Sequence, residues 1–395
     1  MEQRYPSAGS DGFVPARLTL ARNSRSMRQN ELAEALERAP GTISKWENST
    51  YDHAPDSLDI SSLAKILSVD RGWFYKPLAG VEGVPFFRSL KSALAVARDR
   101  ASARLQFVED IFSALSDRIE FPDQDVPDLV GKRDFRTLRL DDIDDIANQL
   151  RDYWMLGDDP IDDLMTVVEN AGVVVSEDYV QSSKLDGVSR WFDKNPVMLL
   201  GKDKQGAVRR RFDVAHELGH LILHQNVSRE DLRNDLALIE EQAMSFAGSF
   251  LLPASSFSSD VSDFSLDTLS DLKPKWKVSI GAMIKRLGNL ELVKPEHERN
   301  LWKYYSYRKW RGNEPYDDRL KMETPLNLKA AVEMVAEDGP AEISILMSEI
   351  GLLPADVADL TGVDVSVLNT AKSKNAKLKL VRKDGLDMQR RAAND

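Results

Sequence analysis

The stretch "FDVAHELGHLILHQN", residues 212–226, holds three of the chain's five histidines. His216 and His220 stand four apart, so on a helix their imidazoles project from one face, one turn above the other. That spacing suits two ligands of one zinc ion and puts Glu217 beside it as a candidate base. The competing reading is a pair of packed core histidines on an apolar helix. Zinc also requires a third protein ligand and an open position for water. Further on, "IEEQAMSFAGSFLLP" offers Glu240 and Glu241 on a second apolar helix. Ala243, Phe246, Ala247, Phe250 and Leu251 recur at helical spacing and mark its buried face. Glu240 edges that face, so it is the expected third ligand. His224, one turn beyond His220, is either a further ligand or a histidine supporting the others. With zinc in place a water is acidified toward pKa ~7, and Glu217 takes its proton and later hands it to a leaving amine. The strand "PVMLL" is expected to hold an extended peptide by edge pairing. No pattern identifies the group that stabilises the oxyanion; Tyr179 and Arg211 are the candidates.

Composition narrows the alternatives. The chain has no cysteine, which removes disulfides, thiolate zinc sites and thiol nucleophiles, and favours a cytoplasmic setting. Apolar runs such as "AGVVV" are far shorter than the roughly 20 residues needed to span a bilayer, so no membrane partner is expected. A net charge of −11 argues against a protein that coats nucleic acid by charge alone. No Walker-type loop, dinucleotide fingerprint or G-x-S-x-G elbow is present.

The expected architecture is mainly α with a small β-sheet around the histidine helix, an α+β class. Short helices with tight turns run over residues 14–80, packed on Leu32, Leu36, Ile43 and Trp46, with Pro40 in the first turn of a helix. The glycines and prolines of "KPLAGVEGVPFF" mark a linker near 77–86 that opens a helical connection over 81–144. A catalytic core follows at 145–260, with strands at "VVVSEDYV", "GVSRWFD" and "NPVMLL" after a helix stop at Gly172. Residues 261–312 form a helical module that could be a second helix-turn-helix. Its basic face of Lys273, Lys275, Lys277, Lys285 and Arg286 is either simply solvated or a substrate-docking surface. The last region, 313–395, is helical and ends in a basic, aperiodic tail.

Here a resemblance enters. "RRRFDVAHELGHLILH", "EEQAMSFAGSFLLP", "DGVSRWFDKNPVMLL" and "PIDDLMTVVENAGVVV" together resemble the ImmA/IrrE metallopeptidases. The resemblance implies zinc held by His216, His220 and Glu240, with Glu217 catalytic. It departs at Met244, where asparagine is common. "RQNELAEAL" and "TISKWEN" are similar to the Xre class of helix-turn-helix domains, and "FFRS" fits known fusions of the two. Family members are regulatory proteases that cut a repressor, so a repressor protein is the implied substrate.

In a helix-turn-helix the second helix enters the major groove. Gln29, Arg38, Thr42, Ser44 and Lys45 are the residues here able to touch bases or phosphates, while Pro40 and Gly41 leave two reading positions blank. Glu37 stands where the turn commonly has glycine. Residues 1–53 hold seven Lys/Arg against seven Asp/Glu, so the domain releases few counterions and binds double-stranded DNA weakly as a monomer. A homodimer or a protein partner is the alternative. Two other functions stay open: a DNA-binding transcriptional regulator whose zinc site is structural or sensory, and an antitoxin-like binding module.

Overall fold

A computed structural model of the protein describes residues 12–48, 54–78, 85–86, 95–179, 186–203 and 206–369. Most of the expected 77–86 linker, three residues of "FFRS", and the basic tail lie outside these residues. Helices α1 (Pro15–Ser24), α2 (Gln29–Ala35), α3 (Pro40–Trp46) and α4 (Ser57–Leu67) form the amino-terminal unit, followed by a 3-10 turn at Arg71–Tyr75. Helices α5 (Ala95–Ser116), α6 (Leu140–Tyr153) and α7 (Leu164–Asn170) lead to strands β1 (Val174–Asp178), β2 (Gly187–Phe192) and β3 (Asn195–Gly201). Next come α8 (Ala207–Leu223), α9 (Arg229–Asn234), α10 (Leu236–Leu251), α11 (Ala254–Asp260), α12 (Leu266–Trp276), α13 (Ile280–Asn289) and α14 (Pro295–Tyr307). A last group comprises α15 (Asn327–Glu337), α16 (Pro340–Ile350), α17 (Pro354–Thr361) and α18 (Val365–Leu368). Among the described residues no helix is long and apolar enough to cross a membrane.

In the first unit Leu32, Ile43 and Trp46 are buried as their spacing predicts, and Leu36 packs against them from a half-buried position. Pro40 opens α3, where a missing N–H goes unnoticed. Glu37, in the α2–α3 turn, has φ 54°, the left-handed conformation that a side chain resists. Glu37→Gly is therefore expected to stabilise the protein by roughly 0.5–1 kcal/mol, relief of strain partly offset by glycine's extra freedom when unfolded. A lower thermal midpoint for the variant would refute this account of the turn.

The sheet order is β1-β3-β2, with β3 parallel to β1 and antiparallel to β2. Strand alternation sends Val174, Val188, Phe192, Val197 and Leu199 to one face, against Phe107, Val108 and Ile111 of α5. Val175, Met198 and Leu200 face the other way, into a core with Val214 and Leu218 of α8. This placement corrects one expectation. "PVMLL" lies in β3, whose two edges are both paired, so it has no backbone groups left for a peptide; β1 and β2 are the edge strands, and β2 is the one tied to α8.

The module after the core also departs from expectation. Lys273 is fully buried and bound to Glu314 at 2.8 Å and Asp317 at 2.5 Å. Arg286 is buried too, donating to Asp144 and to the Leu252 carbonyl. Lys275 pairs with Asp260 and Lys277 with Asp162. Four of the five basic residues thus sit in individual ion pairs, those of Lys273 and Arg286 inside the protein, while Lys285 is exposed on α13. On α13, Gly281 lies against Trp302 and Tyr305 of α14, so that side of the helix is not free for a groove.

The last helices, which carry no sequence motif, join the first unit to the sheet. Val69 bridges to Leu352, and Asp70 N–H donates to Gly351 O at 2.8 Å. Ser176 of β1 donates to Leu360 O of α17 at 2.6 Å.

Candidate metal centre

Helix α8 is apolar enough to be buried along most of its length, and it places His216, Glu217 and His220 inside the protein. Helix α10 crosses it closely because Gly219 has no side chain. A Cβ there would meet Phe246 at 3.0 Å and the Ala243 carbonyl at 3.2 Å. That approach brings Glu240 to the two histidines. Glu240 Oε2 is 3.5 Å from His216 Nε2, Oε1 is 3.4 Å from His220 Nε2, and the two Nε2 atoms are 3.1 Å apart. One ligand atom from each of the three lies within 4.8 Å of the others. Glu241, the rejected alternative, is exposed on the outer side of α10.

The donor set passes a physical test for a cation. Both Glu240 carboxylate oxygens are buried and, among the described residues, have no hydrogen-bond partner within normal geometry, only the two imidazoles facing them at 3.5 and 3.4 Å. An unsatisfied buried carboxylate is costly unless a positive charge shares its site. Burial pushes the Glu240 carboxyl upward, but His216 and His220 overcome it and hold the group below its ordinary value. Burial pushes the His220 imidazole down, toward the neutral form a metal ligand needs. Two imidazoles and a carboxylate, with no thiolate, fit zinc.

Glu217 sits beside this trio on the side facing β2. Burial drives its carboxyl well above the ordinary range, with Ser189 opposing and the Glu240 charge reinforcing. The Ser189 hydroxyl donates to the Glu217 backbone carbonyl at 3.3 Å, and Trp191 Nε1 donates to Leu221 O at 3.1 Å, so β2 is tied to α8 twice. Gly187 on β2 makes room for the side chain: a Cβ there would lie 2.8 Å from Glu217 Oε1. A glycine inside a strand is a signal of close approach, and here it could have been read from "DGVSRWF".

Other residues around the centre were less legible. His224 does not join the trio; its Nδ1 lies 3.1 Å from His220 Nδ1 and its Nε2 lies 3.0 Å from Gln242 Oε1. Burial lowers its imidazole to about 3. Phe86 stacks on His220 with ring centroids 4.8 Å apart and planes at 3°, and its N–H donates to Ser189 O. Met244 is 41% exposed, and the hydrogen bonds beside the centre come from Gln242 instead. Neither oxyanion candidate gains support: Arg211 is committed to Glu323 and the Ile161 carbonyl, and Tyr179 is exposed beyond the end of β1.

The reading positions of the first unit are distributed differently. Gln29 donates to Glu47 at 2.7 Å and Arg38 to Asp59 at 2.8 Å, so both are engaged within the protein. Arg17, Arg22 and Arg25 are likewise paired, with Asp110, Glu47 and Asp356. Ser44 and Lys45 on α3 are exposed, and Thr42 is half-buried.

A helix carrying H-E-x-x-H, faced by a carboxylate from a second helix and flanked by an edge strand, defines a metallopeptidase-like domain. Residues 168–288 match the peptidase-family model described as the IrrE N-terminal-like domain, and residues 18–74 match the helix-turn-helix model. The chain therefore joins an IrrE N-terminal-like domain to an amino-terminal helix-turn-helix domain. No curated protein matches it.

Proposed function

We propose that the protein is a zinc-dependent regulatory endopeptidase of the cytoplasm that cleaves another protein, a transcriptional repressor. The observation that carries this reading is the buried, unpartnered Glu240 carboxylate facing two imidazole Nε2 atoms, with a separate buried carboxylate, Glu217, directly beside it. His216, His220 and Glu240 would hold the ion. When bound, zinc supplies Lewis acidity to a water and to a substrate carbonyl. Glu217 does the proton work: it accepts a proton from the attacking water and returns it to the departing amine nitrogen. A purely structural site would have no use for that second carboxylate. In this reading an extended peptide pairs along the outer edge of β2 beyond Ser189, whose carbonyl already accepts from Phe86 N–H, and so passes Glu217.

The helix-turn-helix domain, in this reading, brings the enzyme to its target. Thr42, Ser44 and Lys45 are the proposed contacts of α3 to DNA, joined by Gln29 and Arg38 only if they leave Glu47 and Asp59. Because so many of the domain's arginines are already paired, its phosphate contacts are few and its affinity for DNA is modest and strongly weakened by salt.

The deciding experiment is an amino-terminal peptide survey of cells making the wild type or a His216→Ala/His220→Ala variant. New chain ends confined to the wild type, inside a DNA-binding protein, are the expected result. Matching profiles under several stresses and with ample zinc would sink the peptidase reading and turn attention to a structural metal site.

A further inference from the structure

A line of hydrogen bonds runs from the backbone ahead of α6 to the metal-facing side of His220. Gln242 Nε2 lies 2.7 Å from Phe135 O and 3.4 Å from Leu138 O. Backbone carbonyls only accept, so the amide nitrogen must be the atom facing them, and Oε1 is thereby turned to His224. His224 Nε2, 3.0 Å from that oxygen, must carry a hydrogen. The His224 ring is 1% exposed, lies against Phe86 and Phe135, and among the described residues hydrogen-bonds to no carboxylate, so it is neutral with a single N–H. Its Nδ1 is therefore a bare lone pair. That lone pair faces His220 Nδ1 at 3.1 Å, a contact that is attractive only if His220 carries its hydrogen on Nδ1. His220 Nε2 is then left bare, directed at Glu240 and His216, and by the same rule the hydrogen in its 3.1 Å contact with His216 Nε2 belongs to His216.

We infer that His224 and Gln242 are positioning residues that lock His220 in the Nδ1–H tautomer, so its Nε2 lone pair is aimed at the metal before any ion arrives. The polarity of the whole line is set at its far end, by two carbonyls that cannot donate. The consequence for metal affinity rests on the zinc reading; the tautomer itself does not. Partners of this kind typically change metal affinity by about 10–100-fold.

The chain's five histidines keep the imidazole spectrum simple enough to assign. Long-range proton–nitrogen NMR of the metal-stripped full chain is expected to show His220 as the Nδ1–H tautomer, and Gln242→Leu and His224→Phe are expected to lose that preference. Competition with a chromophoric chelator should then show zinc affinity about 10–100-fold lower in both variants. An Nε2–H tautomer at His220 in the wild type overturns the inference without needing any variant to fold. Unchanged tautomer and affinity in a folded Gln242→Leu protein overturn it too. An Nδ1–H tautomer in a wild type that fails to bind zinc would leave the hydrogen-bond line standing and remove the metal reading instead.

Discussion

Glu217→Gln is expected to lower kcat/KM for the protein substrate by about 10²–10⁴-fold while leaving the zinc content unchanged. The substitution keeps the volume of the side chain, which matters because Gly187 has already yielded all the room there is on the β2 side. It also keeps the hydrogen bond from Ser189 to the Glu217 backbone carbonyl, in which the side chain takes no part. What it removes is the capacity to take up and release a proton. Among the described residues Glu217 Oε2 has no hydrogen-bond partner and lies outside the trio of His216, His220 and Glu240, so its loss should not loosen the ion. Elemental analysis of purified wild type and variant, alongside turnover of the substrate found in the peptide survey, decides the matter. A variant that loses zinc in step with activity would make Glu217 a ligand, and one that remains active would need another base.

The elements that repeat a local rule were the ones legible in sequence. The i, i+4 histidines, the apolar periodicity behind Glu240 and the alternating strands each state their geometry within a few residues. So does Pro40 at the start of α3. What could not be read were pairings over long chain separations. The partners of buried Lys273 come from residues 314 and 317, and nothing near Lys273 announces them, so it reads as part of a surface stripe. The edge of the sheet was misassigned for a similar reason: strand order depends on which strand crosses to the middle, and "PVMLL" and "GVSRWF" are equally good strands in isolation. Gln242 shows a third limit. A glutamine beside an apolar helix face has many uses, and only the carbonyls of Phe135 and Leu138, about a hundred residues earlier, decide which one it has.

Arg104→Met is expected to destabilise the protein by about 3 kcal/mol, because it removes a buried cation shared by two carboxylates and leaves Asp356 with Arg25 and Asp178 with only Arg100, at 3.4 Å. Arg104, on α5, is 2% exposed. Its Nε donates to Asp178 at 2.7 Å, at the end of β1, and its Nη1 donates to Asp356 on α17. Asp356 in turn accepts from Arg25 at 2.9 and 2.5 Å, and Arg25 also holds the carbonyls of Leu67 and Ser68. One chain of charges thus runs from the helix-turn-helix unit through the carboxy-terminal helices and α5 to the sheet beside the metal centre. Burial raises the Asp356 carboxyl, but Arg25 and Arg104 outweigh it and keep the group below its ordinary value of 3.8. A carboxyl depressed in the folded state stabilises above its unfolded pKa and loses that contribution as pH falls through the folded one. The gap between wild type and Arg104→Met should therefore be widest near neutrality and narrow as the pH drops below about 4. Denaturant unfolding of the full chain at several pH values measures it. A gap independent of pH would mean that methionine fails by packing rather than by stranding charge, and would separate the stability of this junction from its electrostatics.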